Sequence, residues 1–129
     1  MKRDMELVRT LLLRLESQHR GVGVIVFDYG DEELAVDGYE PATIMGHLGL
    51  IVDAGLAHGR LGGTGSFSFD GLTWSGHDFV DNVRDEEIWR RTKEGVSLAG
   101  GFTFDLMKGL AKGFVRKKIE TLTGIDVSL

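Results

Sequence analysis

The sequence predicts an α+β domain: an N-terminal helix, a hairpin, a central helix, a hairpin with a glycine-rich tip, and added C-terminal helices. Three observations predict it. Apolar residues recur at helical spacing over residues 2–20 and again after Pro41. Between and after these stretches the pattern changes to β-branched and aromatic runs. Helical spacing then returns beyond Ser75 and continues towards the C-terminus. With 129 residues, of which 42 % are hydrophobic, one core is expected. The reading is therefore a single domain, 1–129, with a core over 1–74 and a helical extension over 75–129.

Each element has its own local reason. Over 2–20, Met5, Val8, Leu12 and Leu15 fall on one helical face, Leu11 widens it, and Gly21 supplies the stop. Over 22–27 the run Val-Gly-Val-Ile-Val-Phe is too short for a helix and apolar on both faces. A turn at 29–32 and an alternating return strand at 33–37 complete a predicted hairpin. Pro41 suits the first turn of a helix, where its missing N–H is harmless. Ile44, Leu48, Ile51 and Val52 give that helix its buried stripe, and Gly55 closes it. Residues 56–61 and 66–69 read as two strands around the turn at 62–65. Ser75 with Asp78 fits a capping box that opens a helix burying Phe79, Val80 and Val83. Asp85 starts another helix, with Glu86 and Glu87 in its first turn and Arg90, Arg91 and Lys93 near its end. After a loop at 95–101, Thr103 caps a last helix with Met107, Leu110, Ala111, Phe114, Val115 and Leu122 on one face. Trp74 and Trp89 are expected to fill the junction between the second hairpin and the C-terminal helices.

Composition excludes several classes of function. No cysteine is present, so there is no disulfide, thiolate nucleophile or cysteine-bound zinc. No run of eighteen apolar residues occurs, and the opening residues do not form a signal peptide, so a cytoplasmic protein without membrane contact is expected. The net charge of −5 is unevenly spread. Residues 1–37 hold five basic against eight acidic groups, 38–85 two against six, and 86–129 eight against six. The only basic region is thus C-terminal.

No motif carries catalysis. Gly63-Thr64-Gly65 fails the dinucleotide pattern at Ser68 and precedes a strand, where that pattern requires a helix. The four histidines lack metal-ligand spacing, and His77 with Asp78 and Asp81 is read as the first turn of a helix. The serines have no nucleophile context. No catalytic residue, metal or cofactor is expected, and the chain is read as a non-enzyme.

A resemblance is carried by the opening Met1-Lys2-Arg3-Asp4-Met5, by Gly38-Tyr39, by the stretch from His47-Leu48 to Ala54-Gly55-Leu56, and by Leu72-Thr73-Trp74-Ser75-Gly76-His77-Asp78-Phe79. By these residues the chain resembles an uncharacterised bacterial and phage-associated family of unknown function. The order of elements, with Asp53-Ala54-Gly55-Leu56 before the second hairpin, also resembles winged-helix proteins, although strand replaces the expected middle helix over 22–37. The resemblance implies a winged-helix-like fold of phage or prophage derivation and no established activity.

Two groups of residues are singled out for function. Ala42, Gly46, Gly49 and Asp53 form a stripe of small residues along the central helix. Interior glycines each cost about 1 kcal/mol relative to alanine, so another backbone is expected to approach there. The approaching element is either part of this chain, or a protein partner or a second copy. That helix has no Lys, Arg, Asn or Gln between Tyr39 and Gly55 and carries Glu40 and Asp53, which unsuits it to a DNA duplex. Lys108, Lys112, Arg116 and Lys117 form a basic stripe on the last helix, read either as a solvated face or as a nucleic-acid contact. The expected function is a non-catalytic protein-interaction or accessory module; the alternative is a DNA-binding regulator using the C-terminal stripe, as a homodimer.

Overall fold

A computed structural model describes residues 1–98 and 104–126. Among them are five α-helices and one small antiparallel sheet, so the molecule is α+β. The chain divides into two compact units, Met1–Val80 and Asp81–Leu129, where the sequence reading has one domain with an internal boundary after residue 74.

In the first unit, α1 (Met5–Gln18) begins at Asp4, whose carboxylate accepts from the amides of Glu6 and Leu7. Its inward face buries Leu7, Leu11, Leu12 and Leu15 completely. Strand β1 covers only Ile25–Phe27. The glycines before it explain the shortening: Gly21 and Gly23 adopt φ of 98° and 91°, outside strand geometry. The return strand expected at 33–37 is absent. A 3-10 turn, Glu32–Leu34, stands there because the Asp31 carboxylate caps the Glu33 amide and Leu34 is drawn into the core. The first hairpin therefore does not form, and β1 pairs instead with a strand about forty residues further on.

Helix α2 (Pro41–Asp53) has Pro41 in its first turn, as expected. It buries Ile44, Leu48 and Ile51, together with Met45 and His47, while Val52 is only half-buried. Strands β2 (Ala57–Leu61) and β3 (Phe67–Leu72) form the second hairpin. The sheet order is β1-β3-β2, all antiparallel. Alternation along β3 sends Phe67 and Phe69 into the core and Ser68 and Asp70 to the other face. Helix α1 packs against α2 and β3, and α2 against β2, so the core lies between the sheet and these two helices.

Helix α3 (Trp74–Val83) is capped by Thr73 in place of the expected Ser75: the Thr73 hydroxyl accepts from the Gly76 amide at 2.9 Å. The helix begins two residues earlier than the sequence implies because Thr73 is already anchored. Its amide donates to the Leu56 carbonyl at 3.1 Å and its hydroxyl to the Gly55 carbonyl at 2.6 Å.

In the second unit, Asp85 caps α4 (Glu86–Leu98) as expected, accepting from the Glu87 and Ile88 amides. The helix continues through residues 95–98, which the sequence reading places in a loop. Arg90, Arg91 and Lys93 consequently sit in its middle. There Arg90 pairs with Glu87 at 2.7 Å and Glu94 at 2.6 Å, and Arg91 with Glu87 at 3.2 Å. Gly95 survives inside the helix because Leu110 lies where its Cβ would be, 3.1 Å away. Helix α5 (Phe104–Thr123) runs antiparallel to α4, with residue 110 beside 95 and Lys118 ion-paired to Asp85. Met107 and Ala111 are fully buried, but Leu122 is 74 % exposed, since α5 extends past the start of α4 and its last turns have no neighbour in that pair. The expected cap at Thr103 lies outside the described residues.

Candidate functional site

The outer face of the sheet is built by two cross-strand rows. Pairing sets Val26 opposite Ser68, and Ser68 opposite Arg60. One step along, Val24 flanks Asp70 and Asp70 flanks His58, where an irregularity between Ala57 and Gly59 breaks the regular ladder. The inward set, Phe27, Phe67 and Phe69, is wholly buried, so strand alternation forces these residues outward. Val24 and Val26 remain 60 % and 58 % exposed, and Val22, in the bend before the strand, is exposed as well. Together Val24, His58, Arg60, Ser68 and Asp70 line an open groove of about 460 Å³. Among the described residues, no ion pair or hydrogen bond engages the side chains of His58, Arg60 or Asp70. An edge strand without a charge, a row of exposed valines and two unpaired opposite charges are features of a contact surface.

The two groups predicted from sequence are placed differently. On α2, Ala42 and Asp53 are exposed and Gly46 and Gly49 half-buried. The space above each glycine is filled from within the chain. A Cβ on Gly46 would lie 2.5 Å from the Met1 sulfur, and one on Gly49 would lie 3.1 Å from Leu61 Cδ1. What approaches the two glycines is therefore the side chains of Met1 and of Leu61 in the second hairpin, where the sequence reading expects another backbone. On α5, Lys108, Lys112 and Lys117 are exposed and Arg116 is half-buried. Lys108 lies 5.8 Å above the Phe104 ring, and none of the four makes an ion pair among the described residues. The tryptophans part company: Trp89 is buried, whereas Trp74 is 84 % exposed and fills no core.

A polar cluster that sequence reasoning missed ties α1 to α2. His47 is fully buried, and its Nδ1 donates to the Thr43 carbonyl at 2.8 Å. Its Nε2 accepts from the Asp4 amide at 2.9 Å, so both partners fix the neutral tautomer. The second carboxylate oxygen of Asp4 accepts from the Tyr39 hydroxyl at 2.6 Å. Burial pushes the Asp4 carboxyl up, but the Tyr39 hydroxyl and the Leu7 and Glu6 amides together hold it below its ordinary 3.8. The same bond to Asp4, aided by burial, pushes the Tyr39 phenol up to about 12. This cluster is structural: every side-chain polar atom in it has a partner, and Tyr39 also borders a small hollow between the 3-10 turn and α2. Among the described residues no group of three histidine or acidic side chains is placed to hold a metal ion. No described helix is long and apolar enough to cross a membrane.

The fold and this surface define a small α+β protein with a solvent-facing sheet. The chain belongs to the family described as hypothetical protein (DUF2513), whose sequence profile matches residues 2–102. It is also similar to an uncharacterized protein of Haemophilus influenzae (strain ATCC 51907 / DSM 11121 / KW20 / Rd). The two are 28 % identical over 123 residues, which cover 92 % of this chain and 99 % of the relative. No solved structure matches the chain significantly.

Proposed function

We propose that the protein is a non-catalytic protein-interaction module on a winged-helix-like scaffold, with the outer face of its sheet as the contact surface. The scaffold reading is supported by the element order of residues 1–80, helix, strand, short 3-10 turn, helix and hairpin, and by the strand order β1-β3-β2. A winged-helix protein that reads DNA does so through the helix at the position of α2. Here that helix offers no Lys, Arg, Asn or Gln, and its glycines are covered by Met1 and Leu61. The observation that carries the proposal is the exposed pair Val24 and Val26, just before and within β1, on the face that also carries the unpaired Arg60 and Asp70.

A photo-crosslinking residue in place of Val26, irradiated in the native host, tests this. A discrete protein adduct, including a self-adduct, that is missing when the crosslinker replaces exposed Glu33 supports the surface. Equal, diffuse labelling at both positions overturns it. The second reading, a DNA-binding regulator, is favoured by the exposed and unpaired Lys108, Lys112 and Lys117. A nucleic-acid adduct from a crosslinker at Lys112, with none of protein at Val26, would promote it.

A further inference from the structure

We propose that the corner where α2 ends and α3 begins docks a basic protein segment through an arginine that stacks on the Trp74 indole and pairs with Asp78. Trp74 is 84 % exposed while its counterpart Trp89 is buried, so the ring is not part of either core. The backbone beneath it is nevertheless held from several directions. Thr73 bonds through its amide to Leu56 and through its hydroxyl to Gly55 and Gly76. Gly76 passes so close to Leu56 that any Cβ there would collide with the Leu56 carbonyl oxygen. A large aromatic side chain with few rotatable bonds on a fixed backbone loses little entropy when covered. Residues of this kind carry most of the energy of protein interfaces.

Charge decides what covers it. Asp78 lies four residues on, on the same side of α3 as Trp74, and is exposed. Asp53, the last residue of α2, is also exposed and stands two residues before Gly55, to which Thr73 is bonded. Neither carboxylate has an ion pair or hydrogen bond among the described residues. The C-terminal end of α2 adds its negative pole to the corner. The opposing positive pole at the start of α3 amounts to roughly half a charge, against two whole carboxylates. Residues 1–80 as a whole carry six basic and twelve acidic side chains. A nucleic acid or acidic peptide is therefore repelled, and a cationic segment drawn in. Arginine fits better than lysine because its planar guanidinium stacks on an indole while its edge donates two parallel bonds to a carboxylate. The inference uses none of the residues of the sheet surface.

The test titrates the intact chain with a short peptide of alternating arginine and glycine, followed by calorimetry and by tryptophan emission. Trp74→Phe leaves Trp89 as the sole emitter, and Trp74→Ala removes the stacking ring; thermal melts confirm that both fold. A saturable emission change is expected in the parent and is expected to vanish in Trp74→Phe. By calorimetry, Trp74→Ala should weaken binding about tenfold or more and Asp78→Asn about threefold. A lysine–glycine peptide should bind more weakly than its arginine counterpart. Binding that is unchanged in Trp74→Ala, or equal for the two peptides, overturns the proposal. Because Val24 and Val26 are untouched, this outcome is read independently of the crosslinking at the sheet.

Discussion

Asp4 is the residue whose several roles are most directly measurable. Its carboxylate caps α1, accepts from Tyr39 and leaves its own amide free to donate to the buried His47. The carboxyl of Asp4 is held low and the phenol of Tyr39 high, so each contributes a pH-dependent part of the stability. Asp4, lowered from 3.8, contributes above that value and loses the contribution as pH falls through its folded-state value. Tyr39, raised to about 12, keeps its proton in the folded state between its ordinary value of 10.0 and that figure. The folded state then binds more protons than the unfolded one, so stability falls as pH rises across that window. Tyr39→Phe should cost about 1 kcal/mol at neutral pH, the usual worth of one hydrogen bond. The gap between parent and variant should close between pH 10 and 12, measured by urea unfolding. A gap that is constant with pH would show that Tyr39 stabilises by packing alone. The sequence displayed Asp4 and Tyr39 among the residues of the family resemblance. It could not display their contact, because thirty-five positions separate them and no local pattern links a cap to a distant phenol.

Glycine separates the legible elements from the illegible ones. Helices α1, α2 and α4 could be read from their apolar spacing and their Asp and Pro signals, since these are properties of neighbours within one turn. The first hairpin was misread because an apolar run followed by alternation is the local signature of paired strands. Whether such strands pair with each other or with β3 is settled by the tertiary core. The sheet surface was hidden for the same reason: Val22, Val24 and Val26 sit at period two, but Ile25 and Phe27 made the run look buried on both sides. The start of α3 was misplaced by two residues because Ser75 and Thr73 are both acceptable caps, and only the bonds to Gly55 and Leu56 choose between them. Two glycines test this argument at the level of the helix. Gly76 in α3 leaves no room for a Cβ, so Gly76→Ala must move the Leu56 backbone and should destabilise by about 2 kcal/mol or more. Gly113 in α5 has nothing within 4 Å, so Gly113→Ala should stabilise by about 0.5–1 kcal/mol through helix propensity. Chemical unfolding of both variants measures the contrast, and equal effects of the same sign would refute the packing account of Gly76.

For the molecule as a whole, the distribution of charge limits how strongly nucleic acid can bind, and that limit can be bounded. The basic stripe on α5 holds four cations, Lys108, Lys112, Arg116 and Lys117, while Lys118 is occupied by Asp85. Four cations neutralise at most four phosphates, which limits the slope of log K against log salt to about −3.6 on duplex DNA. Residues 1–80, with twice as many acidic as basic side chains, offer phosphates no second basic surface. α2 adds no attraction, having neither lysine nor arginine. Fluorescence anisotropy of a mixed-sequence duplex is therefore expected to show no binding at about 50 mM salt and at micromolar protein. Lys108→Glu with Lys112→Glu should then leave the titration unchanged, because nothing is there to lose. Binding that weakens steeply with salt, and disappears in that double variant, would reverse the conclusion. It would make α5 a nucleic-acid contact, as the second reading of the function has it.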